Sequence, residues 1–158
     1  MEGARLARPE ELTTCARLLE EARDRAAVMR GGPELLAASL LAPAPSPFSG
    51  QWLAGHWRED ERVLLAGTID QIVVGVGVGH VTRRAEGRVG VVDCCYVEAA
   101  ARGVGVGAAL AQTLVSWFIA EACVAIDAPA LPGDRETKQL FETQGLSARL
   151  LVLRRRLP

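Results

Sequence analysis

No apolar run in this chain approaches the roughly 20 residues needed to cross a bilayer. The opening residues, with Glu2, Arg5, Arg8, Glu10 and Glu11, lack the apolar core of a signal peptide. A cytoplasmic protein without a membrane partner is the expectation. Excess charge is missing too: 18 basic residues face 19 acidic ones, a net charge of -1. No global positive field argues for nucleic acid as a partner. The C-x-x-C spacing of a zinc site is absent, since the four cysteines stand at 15, 94, 95 and 123, and no metal is expected. Cys94 and Cys95 are adjacent on an expected strand and should face opposite ways, which disfavours both shared ligation and an easy disulfide. Buried free thiols are the simpler reading; a cysteine nucleophile would lack a nearby histidine partner. Aromatic residues are scarce at 4%, and Tyr96 is the single tyrosine.

What is present is apolar matter: 49% of the 158 residues are hydrophobic, enough for one continuous core, and one domain over residues 1–158 is expected. Residues 3–7 read as a short strand. Pro9 suits the first turn of a helix over 9–24, in which Leu12, Cys15, Ala16, Leu19 and Ala22 recur at helical spacing. A second helix is expected from Pro33 to Leu41. Prolines 43, 45 and 47 then impose an extended loop within the domain. Strands follow over 63–69 and 72–81, joined at Asp70-Gln71, and over 89–97 after a polar turn at 85–87. A long helix runs to about Ala122, with Leu110, Leu114, Trp117 and Phe118 on its buried side. A strand over 123–128, a helix over 135–144 capped by Asp134 and ended by Gly145, and a last strand over 149–155 complete the order. An antiparallel meander followed by a strand-helix-strand crossover makes a mixed sheet with helices against it.

Two glycine runs invite a ligand reading, and their contexts separate them. Gly75, Gly77 and Gly79 lie inside a strand that leads into Thr82-Arg83-Arg84 and not into a helix, so a dinucleotide site is rejected. These glycines leave one sheet face bare, open to a helix, a bulge or a ligand. Gly103, Gly105 and Gly107 instead end a strand and open an apolar helix, whose first N–H groups lack intrahelical partners and whose dipole favours an anion. A strand-to-helix turn with no ligand is the plainer alternative.

The spacing Arg102-x-x-Gly105-x-Gly107 after a strand resembles the acyl-CoA signature of the GNAT acetyltransferase superfamily. Leu140-Phe141-Glu142-Thr143-Gln144-Gly145-Leu146, followed by the apolar run Leu150 to Leu153, is similar to that family's last helix, turn and terminal strand. The match is close over about residues 61–157; before that it extends only to the order of elements. The resemblance implies an α+β (α/β) fold: a mixed, mostly antiparallel twisted sheet of six to seven strands flanked by about four helices. It further implies acetyl-CoA as co-substrate, bound by Cys95, Tyr96, Val97, Arg102, Gly103, Val104, Gly105, Val106, Gly107 and Ala108. In the last helix it implies contacts from Asp134, Thr137, Lys138 and Phe141.

Catalysis in such a family is direct transfer to a neutral amine, with a backbone N–H near the end of the strand, here at Val97, steadying the oxyanion. A base must take the proton of the ammonium. Asp93 is the candidate, because strand alternation puts 93, 95 and 97 on one face; a purely structural strand acid is the competing reading. Tyr96 should then face away from Asp93 and Val97. The family's usual tyrosine in the last helix is matched by Phe141, which has no proton to give, so the acid step is left to water or to the substrate's own proton. Trp52, His56 and Trp57 either shape a pocket for an aromatic or cationic acceptor or plug the open side of the core. His80 ends a strand and reads as structural; Arg154-Arg155-Arg156 reads as a solvated chain end.

The expected activity is acetyl transfer from acetyl-CoA to a primary amine, of a small molecule or of a protein. A catalytically weak acyl-CoA-binding sensor or interaction module on the same scaffold is the rival, favoured by Phe141. A phosphate-binding regulatory domain without CoA is a third. A homodimer through an apolar sheet edge is expected.

Overall fold

A computed structural model describes residues 1–57 and 60–158. β1 (Glu2–Leu6) leads through a single 3₁₀ turn, Pro9–Glu11, into α1 (Leu12–Ala27). The corner between them is pinned by Glu11, whose carboxylate accepts two bonds from Arg5, at 2.8 and 2.6 Å, and one from the Arg8 N–H at 2.8 Å. α2 (Gly32–Ala38) follows, opened by Gly31 in the left-handed region. α3 (Gly50–His56) comes after the proline loop and was not anticipated from sequence. Its start is chemically ordinary: the Ser49 hydroxyl accepts the Trp52 N–H at 3.1 Å. Three prolines and a Ser-Gly pair beside it conceal a helix of only seven residues.

The meander is β2 (Arg62–Ile69), β3 (Ile72–Arg84) and β4 (Gly87–Val97). Asp70 and Gln71 both take positive φ, the backbone of a two-residue primed hairpin turn. α4 (Val106–Ala120) crosses over to β5 (Ala125–Asp127), and α5 (Arg135–Glu142) closes the regular structure. The sheet order is β1-β2-β3-β4-β5, antiparallel except for β4 against β5. No described helix is long and apolar enough to cross a membrane.

Each face of the sheet has its own core. On one, α4 packs Val106, Leu110, Leu114 and Phe118 against Val63, Leu65 and Val92, with Phe141 of α5 at the edge. On the other, Cys15, Leu18 and Leu19 of α1 meet Leu64, Val76 and Val78, with Phe48 and Leu53 beside them. The strand glycines explain how close α4 comes. A Cβ on Gly79 would stand 2.7 Å from the Phe118 ring and 2.9 Å from the Val91 carbonyl; one on Gly90 would stand 2.4 Å from that ring. Gly75 and Gly77 meet Leu110 in the same way. They form the floor on which α4 lies, and nothing remains of a dinucleotide loop.

Three expectations are corrected. The sheet has five strands among the described residues, not six to seven. β5 holds three residues where six were expected. The last strand, expected over 149–155, does not form: Leu150, Leu151, Val152 and Leu153 are between 72% and 87% exposed. An apolar run becomes a strand only where a neighbour supplies backbone partners, and β5 is too short to hold one along its length.

Candidate active-site cleft

The site is built by what β4 does after it leaves β5. Those two strands pair only over Val89, Gly90 and Val91, against Ala125, Ile126 and Asp127. From Val92 to Val97 β4 continues with no strand on that edge, and a cleft opens. Glu98 donates its N–H to Val74 of β3 at 2.9 Å. Backbone alternation therefore turns the preceding N–H, that of Val97, toward the open side. The Val97 carbonyl faces the same way and accepts Arg102 Nε at 3.0 Å, which holds the guanidinium at the mouth of the cleft.

The glycine turn follows directly. Gly103 and Gly105 have φ of 82° and 100°, in the region where a side chain is strained. The first intrahelical bond of α4 runs from Ala109 N–H to Gly105 O at 3.0 Å. The amides of Val106, Gly107 and Ala108 therefore emerge from the N-terminus, beside the exposed Val104. A Cβ on Gly107 would find only ordinary contacts at 3.8 Å. Its bareness is unnecessary for packing and leaves the approach to those amides clear.

Asp93 is not where alternation puts it. β4 carries a bulge: Val92 pairs with Gly79 and Cys94 with Val78, so Asp93 is the extra residue. The bulge turns it onto the face of Cys94 and Tyr96, toward α1 and α2, while Cys95 and Val97 pack on the α4 side. The expectation that 93, 95 and 97 share a face, and that Tyr96 points away from Asp93, is thus overturned. One inserted residue reverses the parity of every position on the far side of it.

The carboxylate is 2% exposed, and both of its oxygens are engaged. One oxygen accepts the Leu40 N–H at 3.2 Å and the Ser39 hydroxyl at 3.4 Å; the other meets His80 Nδ1 at 2.6 Å. His80 is the partner that sequence reasoning missed. A signal existed, because the turn at 85–86 sets His80 opposite Val91, two residues from Asp93. The Tyr96 hydroxyl donates to Glu21 at 3.2 Å. Burial, then the charge of Glu21, raises its pKa and keeps the phenol protonated.

Asp93, Cys94, Cys95 and Tyr96 line a cavity of about 270 Å³ between β4, α1 and α2, with Asp134 and Thr137 at its other rim. Asp134 accepts the Thr137 N–H at 3.1 Å and its hydroxyl at 2.7 Å, capping α5. Phe141 is core, 4% exposed, and Lys138 pairs outside with Glu142 at 2.5 Å. Trp52, His56 and Trp57 do not line the cavity. Trp52 stacks on His56 at 4.0 Å, and Trp57 Nε1 donates to the Val63 carbonyl at 2.7 Å, so the cluster wedges α3 onto the core. Only Phe48, in edge contact with Trp52, reaches the cavity wall. The four cysteines are free thiols. Burial pushes Cys15 up to about 11 and Cys95 up to about 12, and raises Cys94 further, so none of these three offers a thiolate near neutrality.

The family model of the acetyltransferase (GNAT) family matches residues 33–146, a span that includes the open edge of β4, the glycine turn and the start of α4. The chain belongs to the GNAT acetyltransferase family. Solved structures of this fold agree. A ribosomal-protein-alanine N-acetyltransferase from Brucella melitensis biovar Abortus 2308 is similar with a TM-score of 0.65 at 20% identity, over 100% of each chain. An aminoglycoside acetyltransferase from an uncultured soil metagenomic sample reaches 0.71 at 17% identity, over 100% of this chain and 99% of that one. The tetramutant of the BH1408 protein from Bacillus halodurans reaches 0.75 at 13% identity, over 98% and 99%. At these identities the likeness is one of fold. No curated protein matches in sequence. Within the GNAT frame, the α4 side of β4 carries the motif and the α1–α2 side carries this chain's own cavity.

Proposed function

We propose that this GNAT protein transfers an acetyl group from acetyl-CoA to a primary amine in a ternary complex, in the cytoplasm. The observation that carries the reading is the set of outward amides at Val106, Gly107 and Ala108 beside a strand whose edge has just opened. Those donors, with the helix dipole, suit the pyrophosphate of CoA. Arg102, anchored on Val97, adds a fixed positive charge, and Gly103, Val104 and Gly105 complete the turn around it. The open edge of β4 from Cys95 to Val97 offers backbone groups to an extended pantetheine arm, as a missing strand would. Asp134 and Thr137 face that arm from the opposite rim.

The reacting nitrogen comes from the cavity. As the C–N bond forms and the C–S bond breaks, the Val97 N–H receives the oxyanion. Asp93 accepts the nitrogen's proton, with the His80 Nδ1–H holding the carboxylate in place, and gives it up to water when the product leaves. The departing thiolate takes its proton from water, because Phe141 has none to give. The acceptor is a small-molecule or protein amine, and a homodimer is compatible with the exposed apolar segment Leu150–Leu153.

The test has two arms. Calorimetry with CoA should show a binding site that Gly107→Leu removes, and acetyl-CoA with an amine panel should release thiol. Absence of CoA binding by the folded protein overturns the reading. CoA binding without any accepted amine favours the sensor, a reading supported by the buried, hydroxyl-free Phe141.

A further inference from the structure

We infer that the acceptor is a compact hydrophobic monoamine; the inference rests on the proposed acetyl transfer and names its substrate class. The cavity beside Asp93 is walled by Leu19 and Ala22 of α1, Leu35 and Leu36 of α2, and Leu41 and Phe48 of the following loop. At about 270 Å³ it falls just below the range of about 300–1,000 Å³ typical of drug-sized ligands. It admits a body the size of one large apolar side chain and has no room for an oligosaccharide.

The polar inventory of the wall is equally restrictive. A carboxylate offers about four acceptor positions. On Asp93 three are taken, by the Leu40 N–H, the Ser39 hydroxyl and His80 Nδ1. One remains, enough for a single N–H of an incoming amine. The other acid on the wall, Asp134, has one bond on each oxygen, from the N–H and the hydroxyl of Thr137, which turn it toward the start of α5. The remaining charges on the wall are positive. Arg23 is bound to Glu20 at 2.5 Å and to the Pro45 carbonyl at 2.8 Å, and lies 3.9 Å over the Phe48 ring. Arg25 reaches Glu136 at 3.5 Å. A second ammonium on the acceptor would therefore meet two guanidinium groups and one acid already bound on both oxygens to Thr137, in a place where apolar walls weaken screening. Polyamines are disfavoured by charge, and aminoglycoside-like polycations by charge and bulk. One cation, at the nitrogen that reacts, is what the site accommodates.

The experiment follows amide resonances of Ala22, Leu36 and Tyr96 while 2-phenylethylamine, isopentylamine, spermidine or kanamycin is titrated into the protein, with and without CoA. The two monoamines should shift all three resonances and bind at least about tenfold more tightly than spermidine or kanamycin. Leu36→Glu, on a half-buried position of a short helix, should weaken the monoamines about tenfold and admit spermidine. Arg25→Glu should raise spermidine affinity without weakening isopentylamine. Equal or tighter binding of the polycations by the unaltered protein overturns the inference, as does a monoamine that moves none of the three resonances. Because the titration without CoA reads the cavity alone, loss of CoA binding counts against acetyl transfer only. Monoamine binding without acetylation in the presence of acetyl-CoA likewise leaves the cavity assignment standing and removes the reaction.

Discussion

The two faces of β4 differ in how completely a helix covers them. On the α4 face, glycines at 67, 75, 77, 79 and 90 let the helix sink until Val106, Leu110, Leu114 and Phe118 touch the strands, and that side is closely packed. On the α1–α2 face the strands carry Val76, Val78, Cys94 and Tyr96, the helices stand further off, and a cavity remains with a buried carboxylate at its end. A bare sheet face thus serves packing, and a furnished one leaves space for a ligand. In the proposed reaction the α4 face contributes only at its end, where the helix presents its first amides.

The largest expected effect comes from the furnished face. Asp93→Asn should lower turnover about a hundredfold to ten-thousandfold, as for loss of a general base. Steady-state rates over a pH range check it, and unchanged turnover would make Asp93 a structural acid and erase the contrast. Gly107→Leu probes the end of the closed face. Loss of charge-assisted bonds to backbone amides should weaken CoA binding by about a hundredfold or more while thermal stability is kept. Gly90→Ala strikes the closed face itself. With Phe118 2.4 Å from the new Cβ, the overpacking should cost about 2–3 kcal/mol in denaturant unfolding.

Glu11 is the control for Asp93, a partly buried carboxylate that stands at a corner and not in a cavity. Its bonds to Arg5 hold its pKa down to about 2, against 4.5 in the unfolded chain. Because the folded value is depressed, the stabilisation is present above about pH 4.5 and is lost as pH falls toward 2. Its size is on the order of 2 kcal/mol. Unfolding measured against pH should lose that slope in Glu11→Gln, with turnover unaffected. The smallest effect is expected at the chain end. Deleting residues 147–158 should change stability by less than about 0.5 kcal/mol, as for exposed positions generally. A larger loss would mean that Leu150–Leu153 are covered in solution, by a second copy of the chain.

The expectations succeeded where local chemistry decides. Pro9, Asp134 and Gly145 mark ends that local backbone chemistry accounts for, and the Arg102–Gly107 turn is visible because its two left-handed positions, 103 and 105, carry the residue that adopts that backbone without strain. They failed where a partner decides. Leu150–Leu153 have the composition of a strand and no strand to join. The Trp52–His56–Trp57 cluster has the composition of a binding patch, yet its rings are spent on each other and on the Val63 carbonyl.

By itself the order of residues determined the meander, the crossover helix and the glycine turn between β4 and α4, because each follows from spacing and backbone freedom within a few neighbouring positions. Only tertiary structure decided which way Asp93 points and what surrounds it. The bulge opposite Val78 and Gly79 depends on a neighbouring strand, and the bonds to Leu40 and His80 span 53 and 13 residues. No local pattern encodes a contact between segments that far apart.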